Sequence, residues 1–173
     1  LPRADDACTY AYLWSDTPVV EAVDPPNGVA GTQVTITGRH FDTKEGVLTV
    51  GVGPNPCEVV GATEGEIVCQ LGDEASSGKF GLVVHQDRDG YAMMSERLSD
   101  GADINFTVLM SVDSVSPAAI SINGGATITI TGSGFAPFGL MNKVTLTNAD
   151  LDMSVSCVPR VLKNYECRLT RND

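Results

Sequence analysis

One pattern is written twice in this chain. Residues 31–41 read GTQVTITGRHF and residues 124–135 read GGATITITGSGF. Each opens on glycine, alternates threonine with isoleucine or valine, closes on Thr-Gly, and sets a phenylalanine three residues beyond that glycine. A period of two puts Val34 and Ile36 on one face of a strand and Thr35 and Thr37 on the other, as in a sheet with one buried and one wet side. Gly31, and Gly124 or Gly125, are expected to let the backbone turn into that strand without the clash a Cβ would bring. Gly38 and Gly132 are expected to end it in a tight turn, with Phe41 and Phe135 dropping back into the core. The motif reads as structural and carries no chemistry.

The likeness spreads well beyond these stretches. Val23-Asp24-Pro25 falls over Val115-Ser116-Pro117, Cys57 over Cys157, Cys69 over Cys167 and Leu71 over Leu169. The offset drifts from 92 to 100 residues, as loop insertions would make it. The chain is therefore a tandem repeat of roughly ninety-odd residues per unit. Further strands are expected at Val47 and Thr49, at Phe80, Leu82 and Val84, at Ile128 and Ile130, and at Val144 and Leu146. Breaks fall at Pro25-Pro26-Asn27-Gly28, Gly51-Val52-Gly53-Pro54, Asp89-Gly90, Asn123-Gly124-Gly125 and Pro137-Phe138-Gly139. No segment has a capped 3.6-residue period. Short strands at this spacing predict all-β units, each a β-sandwich with Greek-key connections.

Charge and composition exclude several functions. The chain holds 22 acidic and 11 basic residues, a net charge of −11. Residues 1–109 carry 17 acidic and 6 basic side chains, whereas residues 110–173 carry 5 of each, so the whole excess lies in the first part. A nucleic-acid surface needs clustered Lys and Arg, so that class is excluded, and an anionic membrane face is disfavoured for the same reason. No run approaches the ~20 apolar residues of a membrane-spanning helix. The chain opens on Leu1-Pro2-Arg3 with no leader pattern, and reads as a piece of a longer polypeptide.

The order Val-x-Pro, paired glycines, VTITG or ITITG, then HF or GF resembles the immunoglobulin-like IPT/TIG domain family. The later PCEVVGATEGEIVC segment (56–69) strengthens the resemblance. It covers residues 17–109 as one repeat and 110–173 as a second that is incomplete at its C-terminal end. Residues 1–16 resemble the last strand and linker of a preceding repeat, with Tyr10-Ala11-Tyr12 over Phe106-Thr107-Val108. The second unit lacks a counterpart of residues 78–92 and of the strand at 104–108, and other segments or another chain are expected to cover its exposed face. The family's members include plexins, fibrocystin-like ciliary and cell-surface proteins, some starch-acting enzymes and several transcription factors. The paired cysteines and tandem arrangement resemble the extracellular kind, fibrocystin-like arrays above all.

That resemblance implies a disulfide within each unit, Cys57–Cys69 and Cys157–Cys167, leaving Cys8 unpaired within the chain. The alternative is free buried thiols in a cytosolic protein, and repetition of the pair argues against it. Asn105-Phe106-Thr107 is the chain's one N-glycosylation sequon, so Asn105 is a candidate glycan site. No CxxC or Cys/His cluster suggests a metal site, and His40 and His85 stand apart. Asp87, Asp89 and Gly90 form a fragment of a calcium loop, but the twelfth position is Leu98, which excludes an EF-hand. A looser site with Asp100 or Asp103 stands against a plain Asp-Gly hairpin turn. Catalytic elbows, zinc-protease helices and phosphate-cradling loops are absent from the sequence. Trp14 is expected to pack at a strand end near the seam.

The reading is a non-catalytic extracellular module without a cofactor, part of the repeat array of a large cell-surface or ciliary-coat protein. Its expected partners are neighbouring repeats, other cell-surface or matrix proteins, further copies and glycans. Two alternatives are an accessory domain of a secreted carbohydrate-active enzyme, which would want exposed aromatics, and the dimerisation domain of a transcription factor, which would want free thiols and a basic loop.

Overall fold

The computed structural model describes residues 13–44, 46–95, 104–121, 126–136, 142–148, 153–160 and 165–169, and from residue 147 onward the backbone course alone. A single 3-10 turn, Trp14–Asp16, precedes ten strands of the first unit. These are β1 (Val19–Asp24), β2 (Asn27–Gly28), β3 (Gln33–Arg39), β4 (Leu48–Val52), β5 (Asn55–Thr63), β6 (Glu66–Leu71), β7 (Gly78–Gln86), β8 (Gly90–Tyr91), β9 (Met93–Met94) and β10 (Asn105–Val108). The second unit contributes β11 (Ser111–Ser116), β12 (Thr127–Ser133), β13 (Val144–Asn148), β14 (Met153–Arg160) and β15 (Tyr165–Leu169).

In the first unit the strands run in the order β2-β10-β7-β4-β5-β6-β3-β1-β9, with β8 beside β7. The path curls so that β1, β3, β6 and β5 face β4, β7 and β10 across one core. The non-sequential neighbours β3–β6 and β4–β7 are the crossovers of a Greek-key sandwich. The alternation of the sequence becomes the alternation of burial. Val34 and Ile36 on β3 are fully buried between exposed or half-buried neighbours, and Leu82 and Val84 do the same on β7. Phe106 and Val108 from β10 close the core from the other layer. Each such side chain contributes about 1.5–3 kcal/mol by leaving water.

The second unit copies five of these strands register for register. Its sheet runs β11-β12-β15-β14-β13, as β1-β3-β6-β5-β4 run in the first. Val20 lies opposite Gly38 and Val112 opposite Gly132, each followed by a β-bulge one residue later. The peptide bonds Asp24-Pro25 and Ser116-Pro117 are both cis. Among the described residues the second unit has no counterpart of β7 or β10. Val112 is accordingly 54% exposed where Val20 is 0%.

The repeated glycine has a different duty from the expected one. Gly38 and Gly132 do not end their strands in a turn; they lie inside β3 and β12. A Cβ on Gly38 would stand 2.0 Å from the Val19 carbonyl oxygen and 2.4 Å from Phe41 Cζ, and one on Gly132 would stand 2.1 Å from the Ser111 carbonyl oxygen. The glycine lets β1 or β11 cross directly over it and, in the first unit, seats the Phe41 ring. The left-handed turn comes two residues later, at His40 (φ 60) and Gly134 (φ 80). Gly31, at φ 78, does make the expected entry turn, while Gly124 and Gly125 lie outside the described residues. Phe41 is buried, and Phe135 packs on Ile128 and Ile130. Trp14 differs from expectation too. It sits in the turn before β1, off the sheet, and is 71% exposed.

Gly38→Ala is expected to destabilise the first unit by ~2 kcal/mol or more, because its Cβ meets backbone that cannot swing aside. Gly61→Ala, with nothing among the described residues within 4 Å of the added carbon, is expected to change stability by no more than ~0.5 kcal/mol. Urea denaturation of the two variants checks this; equal losses would contradict the close-approach role.

Candidate functional site at the junction of the two repeats

The strands of the two units are joined by only two residues, Leu109 and Met110, between the end of β10 and the start of β11. Leu109 N–H donates to the Gly28 carbonyl at 2.7 Å, which ties the connection to β2. Gly134 closes over the same two residues. A Cβ there would lie 2.7 Å from the Leu109 oxygen and 2.8 Å from Met110 Cα. Its counterpart in the first unit is His40, whose ring Nδ1 lies 3.1 Å from the Thr17 carbonyl. A histidine is accommodated at one position and only glycine at the other, because the Leu109-Met110 backbone passes directly over Gly134.

The first unit meets Gly134 with the loop that follows β6. Ser77 N–H donates to the Gly134 carbonyl at 2.9 Å, and Ser76 forms a parallel bridge with Gly134. Ser76 is itself held from behind by Asn55. The Asn55 Oδ1 accepts from Ser76 N–H at 2.9 Å, and Asn55 Nδ2 donates to the Ser76 carbonyl at 3.2 Å. Asn55 is one of two buried polar side chains among the described residues, 4% exposed, and both ends of its amide are used on this one residue. Ala75 is buried beside it, and Gly72 N–H donates to the Pro56 carbonyl at 3.1 Å. The loop is thus latched to β5 before it reaches the second unit. Buried amides paired in this way fix geometry, since leaving either end unpaired costs about 1–3 kcal/mol.

The cysteines sit one layer inward. Cys57 on β5 and Cys69 on β6 form a disulfide with Cα atoms 5.5 Å apart, both sulfurs in the buried core. Cys57 lies opposite Leu71 and Cys69 opposite Val59, so the bond runs diagonally across two neighbouring strands. Cys157 lies opposite Leu169 and Cys167 opposite Pro159, the same diagonal register on β14 and β15. Closing the loop between Cys57 and Cys69 stabilises by about 3 kcal/mol in the chain-entropy view. Cys8 lies outside the described residues.

Asn105 stands at the start of β10, on the face turned away from the core, since its neighbours Ile104 and Phe106 are buried. Asp87, Asp89 and Gly90 belong to the β7–β8 hairpin, where Gln86 lies opposite Gly90 at φ 80. The buried Gln86 donates to Asp89 Oδ2 at 3.1 Å and accepts from Asp42 N–H at 2.8 Å, so Asp89 is engaged in holding the turn. Asp100, Asp103 and Leu98 lie outside the described residues. Among the described residues, no three His, Cys, Asp or Glu side chains gather to hold a metal ion. A cleft of about 540 Å³ opens where β4 leaves β5, lined among others by Thr49, Glu58, Val59, Gln70 and Asp73. Among the described residues its lining sets the Thr49 hydroxyl beside the carboxylates Glu58 and Asp73 and includes no His, Lys, Ser or Arg, and its one cysteine, Cys57, is committed to the disulfide.

The sequence model of the IPT/TIG domain matches residues 18–99 and 110–158 of this chain. Fibrocystin-L of Homo sapiens is 30% identical over 128 residues, which are 74% of this chain and 3% of that protein. Plexin A3 of Danio rerio is 31% identical over 134 residues, 76% of this chain and 6% of that protein. The chain thus spans only a few hundredths of the length of the curated relatives it matches. A solved plexin A4 full extracellular region is 18% identical and covers 89% of this chain and 15% of that one, with a TM-score of 0.45. The model match over both halves, together with the doubled register, identifies the chain as a member of the IPT/TIG domain family.

Proposed function

We propose that this pair of IPT/TIG repeats is a non-catalytic extracellular spacer, one link in the repeat array of a large cell-surface or ciliary-coat protein. It sets the angle between neighbours and presents its outer faces to protein or glycan partners. The observation that carries this reading is the latched junction. A two-residue connection alone would not fix one unit's angle to the other, but the Asn55–Ser76–Gly134 chain of contacts opposes swinging. A spacer needs a fixed geometry, and a buried amide spent on one loop supplies it.

The compartment follows from the chemistry of the core. A buried disulfide between adjacent strands belongs to an oxidising environment and would be rare in the cytosol. The similarity to fibrocystin-L and plexin sequences supports the same assignment. The acidic balance of the first unit keeps such a surface soluble and turns nucleic acid away. Neighbouring repeats, matrix or cell-surface proteins and further copies are the partners this module would meet.

Residual dipolar couplings test the spacer directly. The oxidised chain is expected to fit one alignment tensor across both units, and Asn55→Ala or Gly134→Val to require two, with the couplings inside each unit still mutually consistent. Two tensors of different magnitude in the unmodified chain would contradict the spacer reading.

A further inference from the structure

Asn105 opens β10, the strand that leads into the junction, and its surroundings are unusual for a sheet surface. Ile104, Phe106 and Val108 are all buried, at 6%, 0% and 2% exposure, so alternation turns both Asn105 and Thr107 outward. Both polar members of the Asn105-Phe106-Thr107 sequon therefore share one face of the folded strand. The residue opposite Asn105 on β7 is Gly81, and among the described residues an added Cβ there would find nothing within 4 Å. One step along, Val83 lies opposite Gly51 of β4, where an added Cβ would find no atom nearer than 3.8 Å. On the far side of β10, β2 pairs only with Thr107 and Val108, so it stops short of Asn105. The outer face beside Asn105 is thus paved with glycine, and Val83 stands on it 42% exposed.

We propose that Asn105 carries an N-linked oligosaccharide, and that the sugar occupies the glycine-paved outer face of β10, β7 and β4. This rests on the extracellular reading, because only a chain entering the secretory compartment meets the transferring enzyme. The donor is an oligosaccharide linked to a lipid pyrophosphate. The Asn105 Nδ2 attacks the anomeric carbon, the C–N bond forms, the C–O bond to the pyrophosphate breaks, and the amide loses one proton as the lipid pyrophosphate departs. The modified side chain points away from the core, and its neighbour across the ladder, Gly81, has no side chain. The bare glycines let a sugar ring lie against the sheet and cover Val83. A face covered in this way is closed to protein partners, which leaves contact to the outer face of β1, β3, β6 and β5.

The full chain, expressed behind a secretory leader in mammalian cells, provides the test. Its intact mass is expected to carry an N-glycan that peptide N-glycosidase removes. Asn105→Gln and Thr107→Ala are expected to lose it, and Thr107→Ser, which preserves the sequon, to keep it. Lys79, exposed on the same outer face opposite Thr107, is expected to react several-fold more slowly with an amine reagent before deglycosylation than after, with exposed Lys44 as the reference. Secreted chain with the Cys57–Cys69 bond formed and no glycan would overturn this proposal and leave the extracellular reading standing. Secreted chain with Cys57 and Cys69 both free and no glycan would overturn both. A glycan that leaves Lys79 unprotected would overturn the covered face.

Discussion

Backbone-to-backbone contact at Gly38 is the constraint on which the first sandwich depends. Val19 crosses so close over β3 that no β-carbon fits beneath its carbonyl, and Phe41 fills the space beside it. That crossing fixes where β1 pairs, where its bulge falls and how the chain enters the sheet. Gly132 repeats the crossing under Ser111. Two distant segments thus share a glycine for a reason of distance rather than of dihedral angle, which is why the strand continues through it. The residue that needs the left-handed conformation comes two positions later, and the two units fill it differently.

The disulfide and the core act on this frame in different ways. The core drives the layers together through apolar burial, which is non-directional. The Cys57–Cys69 bond ties neighbouring strands inside one layer, limiting the unfolded chain more than the folded one. Exposed charge contributes little by comparison. The Glu21–Arg39 pair across β1 and β3 is about half exposed on both sides, where such pairs are worth ~0–1 kcal/mol.

Much of this was legible in the sequence because its signals are local. A two-residue period, repeated with its flanking prolines and cysteines, announces a strand and its neighbours, and the buried set Val34, Ile36, Leu82 and Val84 follows from it. The duty of Gly38 was not legible, since a glycine required by a crossing strand and one required by a turn look alike in sequence. The junction was hidden more deeply. Asn55 between two prolines reads as a turn residue, and nothing local links it to Ser76, or Ser76 to Gly134. Its burial arises only when the loop after β6 folds back on β5. The doubled position occupied by His40 in one unit and Gly134 in the other was the available clue, because a repeat that replaces histidine with glycine at a left-handed turn points to crowding there.

The two units share one strand order and one register, and the shared register of Cys157 and Cys167 implies a second staple. A non-reducing peptide map of the chain from its native source tests it most directly. A peptide linking Cys157 to Cys167 is expected beside the one linking Cys57 to Cys69. Finding Cys157 and Cys167 alkylated as free thiols, or bonded to other cysteines, would contradict it.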